Sequence, residues 1–143
     1  MELSTELKKY VAQECRLVAT RLRGIDAEHL NDGVYYYSAV YGCLSRALNL
    51  EYSDELCLAH QTTNLTFQLL AQRVASVTAG QEPSVGIPAA YFEWLADVTD
   101  RLASDIEEST IRLETMAITS RLGYLLNGNG FYLYSTGRLP AGG

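Results

Sequence analysis

Cys57 and His60 are the residues of this sequence whose types and spacing most readily suggest chemistry. They lie three positions apart in a segment with helical periodicity, so both side chains would lie on the same side of a helix. A thiolate and an imidazole are ligands that zinc and other soft divalent metals prefer. A closed zinc site needs four ligands, and only Cys43, Cys15 or His29 are available to complete it. Because the pair has no second Cys-x-x-His partner, buried structural residues are the favoured interpretation.

His60 also belongs to a polar set that could line a ligand pocket. His60 and Thr63 interrupt an otherwise apolar helical stripe, and a buried imidazole without a hydrogen-bond partner costs about 1–3 kcal/mol. Tyr37 and Tyr41, one helix earlier, could supply hydroxyl partners. The four side chains form either a structural hydrogen-bond network or the wall of a ligand pocket, and the network is the favoured interpretation.

Four acidic residues, Glu93, Asp97, Asp100 and Glu107, form a line along a later helix. The string from Glu93 to Val98 resembles a metal-binding motif of MazG-type nucleotide pyrophosphatases, helical enzymes that bind magnesium through clustered carboxylates. The resemblance implies a metal-dependent, nucleotide pyrophosphatase-like enzyme. That family spaces the acidic pair by three, whereas Glu93 and Asp97 are four apart, and the companion glutamate cluster on an earlier helix is missing. A solvated helix face is therefore the favoured interpretation of the line.

Catalytic machinery of the common kinds cannot be assembled from this sequence. The chain has two histidines, and its glycines mark helix ends, so neither a Ser-His-Asp set nor a glycine-rich phosphate loop is present. We therefore expect no catalytic residues and no cofactor.

Composition and charge narrow the range of partners and locations. With 17 acidic and 11 basic residues, the 143-residue chain has a net charge of −6, so its average surface repels phosphate backbones and anionic lipids. No apolar run approaches the roughly 20 residues of a membrane span. We expect neither nucleic acid nor a membrane as a partner. The absence of a secretion-signal pattern and the odd number of cysteines favour a reducing, cytoplasmic location.

The spacing of apolar residues predicts an all-α, antiparallel bundle of four main helices in a single domain. The predicted helices cover about 4–24, from Asp26 or Asp32 to about residue 48, 53–80 and 88–121, the last being long. Gly42 in the second helix predicts a close helix crossing, because glycine there costs about 1 kcal/mol relative to alanine. In the third helix, Leu58, Leu65 and Leu69 lie beside the core-facing stripe, so both flanks of this helix are expected to face protein.

The last predicted helix has more apolar surface than one chain is expected to cover. Ile111, Ile118, Leu122 and Leu125 continue its acidic line, so the helix becomes apolar nearly all round after about residue 111. We expect these four residues to form the interface of a homo-oligomer, for which a two-fold dimer is the commonest arrangement. The sequence thus predicts a non-enzymatic protein that acts through protein–protein contacts, with a small-ligand-binding or metal-dependent helical enzyme as the alternative.

The chain ends in a short aromatic tail with two interpretations. The Asn-Gly repeat at 127–130 permits either a helix stop or the turn of a small β-hairpin that includes the aromatic segment 131–134. Residues 135–143 are expected to be frayed.

Overall fold

Within the part of the chain that the structure describes, the protein folds into five α-helices that pack around one apolar core. The computed structural model describes residues 1–80, 87–88 and 90–127. The helices are α1 (Thr5–Leu22), α2 (Leu30–Leu50), α3 (Asp54–Thr78), α4 (Tyr91–Glu107) and α5 (Leu113–Leu125). The predicted all-α class is confirmed. None of these helices combines the length and the apolar content that a bilayer span requires.

Short sequence signals set several helix ends. The Ser4 hydroxyl accepts a hydrogen bond from the Leu7 amide at 3.2 Å, and the Ser53 hydroxyl accepts one from the Leu56 amide at 3.1 Å. Each bond satisfies an amide in the first turn that has no partner within the helix. At the other end of α3, Gly80 has a φ of 68°, the left-handed conformation that terminates helices.

The helices pack in a ring in which each one contacts two others. α1 contacts α2 and α4, α3 contacts α2 and α5, and α5 contacts α4, whereas α3 and α4 hardly touch each other. The largest fully buried side chains come from all five helices and include Leu22, Tyr37, Leu56, Tyr91, Leu95 and Leu122.

The prediction of one long last helix is wrong, because the chain breaks between α4 and α5. Ser109 adopts a left-handed conformation with a φ of 60°. Its amide donates to the Ile106 carbonyl at 3.0 Å, and the Thr110 amide donates to the Asp105 carbonyl at 3.0 Å, which together form a Schellman motif. The buried Asp105 carboxylate also accepts hydrogen bonds from the Arg112 amide, at 3.1 Å, and from the Arg112 guanidinium. These bonds hold the start of α5 against the end of α4.

The close helix crossing lies at Gly123 and not, as predicted, at Gly42. A Cβ atom added to Gly42 would meet nothing nearer than the Arg46 guanidinium at 3.9 Å. A Cβ atom added to Gly123 would lie 2.7 Å from the Thr66 hydroxyl and 3.3 Å from the Thr66 Cα atom. Glycine therefore lets the backbones of α3 and α5 approach closely. The aromatic tail and its predicted hairpin, from residue 128 onward, lie outside the described residues.

Candidate functional site

The predicted polar set is brought together where α2 packs on α3. The Tyr41 ring stacks on the His60 ring, with centroids 4.8 Å apart, and on the Phe67 ring, with centroids 6.2 Å apart. Tyr37 and Thr63 are 2% and 1% exposed. Burial raises the pKa of the Tyr37 phenol, and the neighbouring Thr63 hydroxyl offsets part of that rise. Tyr37 and Thr63 thus belong to the closed core, while Tyr41 and His60 lie half-buried at its edge.

Hydrogen bonding within this set is less complete than the sequence predicts. His60 Nε2 and Thr63 Oγ1 are buried without a hydrogen-bond partner in the described structure, so the Thr63 hydroxyl lies close to Tyr37 without the alignment of a hydrogen bond. Ring stacking and apolar packing are the main contacts of the set. None of the four main surface depressions is lined by any of its members. A ligand pocket at these residues stays a prediction.

The fold does not assemble the residues that were considered as metal ligands. Cys57 is half-buried on α3. Cys15 and Cys43 lie together in the core between α1 and α2, where the Cys43 thiol and burial both raise the pKa of Cys15. His29 precedes α2 and its Nδ1 atom lies 2.6 Å from the Asp26 carboxylate. Among the described residues, no group of three or more His, Cys, Asp or Glu side chains is placed to hold a metal ion.

The acidic line of α4 faces α1 and pairs with two of its arginines. Its members are Glu93, Asp97, Asp100 and Glu107. The Arg23 guanidinium contacts the first three at 3.2, 2.8 and 2.8 Å. Arg16 lies 3.8 Å from Asp100 and also pairs with Glu107. The hydrogen bonds that the guanidinium donates to Asp97, Asp100 and Glu93, that to Asp97 first, raise the pKa of Arg23. The line is therefore an ion-pair seam between two helices, with side chains that remain 37–62% exposed.

The four residues predicted to form a homo-oligomer interface are covered by their own chain. Ile111 and Ile118 are 9% and 3% exposed, and Leu122 and Leu125 are 0% exposed. α5 lies between α3 and α4, and the Leu122 carbonyl accepts a hydrogen bond from the Tyr91 hydroxyl at 3.0 Å. The argument that one chain cannot cover this helix is wrong. It assumed an unbroken helix, whereas the break before α5 folds its apolar sides into the bundle.

Two surface depressions lie side by side along the contact between α1 and α2, and sequence reasoning did not anticipate them. The larger has a volume of about 620 Å³ and is lined by Tyr10, Arg46 and Leu50 among others. The smaller, of about 270 Å³, includes Gly42 and again Arg46, whose guanidinium donates to the Tyr10 hydroxyl at 2.6 Å. The sequence signal in this region is Gly42, a glycine inside a helix, which lines the smaller depression.

From Leu58 to Ala75 the solvent-facing side of α3 carries no charged residue, and we call this part the α3 outer strip; the exposed Asp54 precedes it in the first turn. The six exposed members of the strip are Leu58, Gln61, Leu65, Gln68, Gln72 and Ala75. Leu58 is 44% exposed and Leu65 is 57% exposed. From Leu56 to the end of the helix the one charged residue is Arg73, which is 5% exposed and faces the core. Both flanks of α3 were expected to face protein, but within one chain the flank that carries Leu58 and Leu65 faces solvent.

Charge is also distributed unequally over the whole fold. Of the 11 basic and 17 acidic residues, five lie within 33–80, which contains nearly all of α2 and all of α3. They are Arg46, Glu51, Asp54, Glu55 and Arg73. The sequence signal for this asymmetry was available in the long uncharged stretches of α2 and α3. One side of the ring is thus weakly charged, whereas α1 and α4 carry the ion-pair seam.

Comparison with known proteins adds no relationship to these features. No protein-family model matches the chain, and no match is found among curated proteins or solved structures.

Proposed function

We propose that the protein is a non-enzymatic, homo-oligomeric helical bundle that acts through protein–protein contacts made by its α2–α3 side. The observation that carries the proposal is the combination of exposed leucines and missing charge on the α3 outer strip. Charged residues keep most protein surfaces apart and hydrated, and their depletion is typical of the central part of protein interfaces.

Other large apolar side chains are exposed on α2 and at the turn into α3. Tyr35 on α2 is 73% exposed, and Leu50 and Tyr52 at the turn into α3 are 73% and 68% exposed. Single exposed apolar residues are ordinary, whereas the leucines of the α3 outer strip recur along one uncharged helix side, as in an interaction site. The three unpaired cysteines are consistent with the cytoplasm as the place where these contacts form.

Light scattering of the purified protein during size-exclusion chromatography tests the oligomer. We expect a dimer at concentrations of tens of micromolar, with a mass near twice the 15.8 kDa of one chain. A monomer that persists up to about 200 micromolar would remove the homo-oligomer from the proposal.

A small-ligand-binding function is the second candidate, and the depression of about 620 Å³ between α1 and α2 favours it. Ligand sites in proteins have volumes of roughly 300–1,000 Å³ and combine apolar walls with a few polar groups. Here Tyr10 and Arg46, together with Ser4, Glu6 and Glu51, supply the polar groups beside Leu7 and Leu50. Ligand binding raises the melting temperature. A rise of several degrees with a nucleotide or another small anion, abolished in Arg46→Ala, would favour this candidate over the first.

A further inference from the structure

We infer that the α3 outer strip binds the same strip of a second copy of this chain, with the two α3 helices antiparallel across a two-fold axis. The inference rests on the proposed function and specifies its contact surface and partner. A chain with a net charge of −6 repels its own copies, and the repulsion is weakest where both surfaces lack charge. The α3 outer strip is such a surface over six successive exposed positions.

The side chains of the strip are complementary to themselves. A glutamine amide both donates and accepts hydrogen bonds, so Gln61, Gln68 and Gln72 can pair with glutamines of an identical surface. Gln61 and Gln68 each donate one bond along their own helix, to Cys57 Sγ at 3.7 Å and to Asn64 Oδ1 at 3.2 Å. Their carbonyl oxygens remain available as acceptors. A charged strip would instead require a partner of opposite charge.

The spacing of the strip also fits helix-on-helix packing. Leu58, Gln61, Leu65, Gln68 and Gln72 are separated by alternating steps of three and four, the repeat of a coiled-coil seam. In an antiparallel pair centred on the strip, Leu65 meets Gln68 of the second copy and Gln61 meets Gln72. Apolar and amide groups then alternate along the contact.

The dimensions of α3 allow a dimer of modest strength. The strip spans residues 58–75 of α3, about 27 Å at 1.5 Å per residue, and a helix with its side chains is about 10 Å wide. Two such strips, with half-buried flanking residues such as Thr62 and Leu69, cover on the order of 1,000 Å², near the lower limit of specific interfaces. An antiparallel two-fold arrangement buries the same patch on both copies and so closes the assembly at two.

Substitution of Leu65 by glutamate is the first test. We expect Leu65→Glu to weaken dimerisation at least 100-fold in analytical ultracentrifugation, because the two introduced carboxylates lie close together at the axis. Leu113→Glu is the matched control, since Leu113 is 78% exposed on α5 and lies outside the strip. Both variants replace exposed side chains, and equal helical circular dichroism would verify their folding. A dimer that survives Leu65→Glu would overturn this inference but leave the proposed homo-oligomer intact.

Cysteine cross-linking tests the orientation of the two helices. In a Cys57→Ser background, glutathione disulfide should link Gln61→Cys to Gln72→Cys when the two variants are mixed, and should link neither variant efficiently to itself. Self-linking of Gln61→Cys would indicate parallel helices and overturn the antiparallel arrangement. A wild-type protein that is monomeric at all concentrations would overturn the inference together with the homo-oligomer of the proposed function.

Discussion

Replacing Ser109 by glycine is expected to stabilise the protein even though it removes a hydrogen bond. Ser109 has a φ of 60°, where a residue with a Cβ atom costs about 1–2 kcal/mol more than glycine. Its hydroxyl accepts a hydrogen bond from Lys8 Nζ at 2.8 Å, and loss of such a partly buried bond costs about 0.5–1 kcal/mol. The free energy of unfolding should therefore increase by about 0.5–1 kcal/mol in Ser109→Gly.

Urea and thermal unfolding followed by circular dichroism would measure this change. For a chain of this size, 1 kcal/mol corresponds to a shift of about 2–4 °C in melting temperature. Ser109→Val should lower the free energy of unfolding by at least about 1 kcal/mol, because a β-branched residue is strained at positive φ. In a Lys8→Ala background the hydrogen bond is already lost, so the gain from Ser109→Gly should rise to about 1–2 kcal/mol.

A decrease in stability of Ser109→Gly in the Lys8→Ala background would refute this reasoning, because only the backbone conformation distinguishes the two proteins there. Gly80→Ala provides the scale for the effect. Gly80 has a φ of 68°, and an added Cβ atom would meet nothing within 4 Å. The Gly80→Ala variant should lose about 1 kcal/mol of stability, and this loss would come from the backbone conformation alone.

Two further perturbations test the packing and the charges around α5. Gly123→Ala should lower the free energy of unfolding by about 1–2 kcal/mol, because the added methyl group overpacks against Thr66. Thr66→Ala should relieve part of that loss, so a double-mutant cycle in urea should give a coupling of at least about 0.5 kcal/mol. Additive losses would contradict the close crossing. The Ile111 amide, at 2.9 Å, and the N-terminal ammonium, at 3.1 Å, lower the pKa of Glu55. The ionised Glu55 carboxylate therefore stabilises the fold above pH 4.5, and this contribution is lost as pH falls through the lowered folded-state pKa. Glu55→Gln should therefore be less stable than wild type at pH 6, with a difference that narrows below pH 4, and a difference independent of pH would contradict the role of these hydrogen bonds.

The sequence was sufficient to predict the helices where a cap and a periodic apolar stripe coincide. α3 begins one residue after Ser53 and ends at Thr78, within two residues of the predicted limits. The break after α4 was not predictable in this way, because the apolar repeat continues across it and no glycine or proline marks it. Ser109 takes the left-handed position that glycine usually occupies, and hydrogen bonds from the Arg112 amide to Asp105 and from Lys8 to Ser109 stabilise the break.

The contact between Tyr41 and His60 could be anticipated for the same reason, whereas a ligand pocket there stays a prediction. Residues on facing stripes of α2 and α3, such as Tyr41 and His60, were expected to meet, and they do. Whether such a group opens to solvent depends on how deeply each stripe is buried, which spacing alone does not fix. The error over Leu122 and its neighbours followed from the missed break, since it is the fold-back of α5 that supplies their cover.

The position of α5 between α3 and α4 has a consequence for how the nascent chain folds. Since α3 and α4 hardly touch each other, the apolar sides that they turn toward α5 stay uncovered until α5 leaves the ribosome. Leu70 on α3 and Leu95 on α4 are fully buried in the finished fold, and residues of this kind attract chaperones when a growing chain exposes them. Translation that stalls before Leu113 therefore leaves an open, aggregation-prone bundle instead of a smaller stable one.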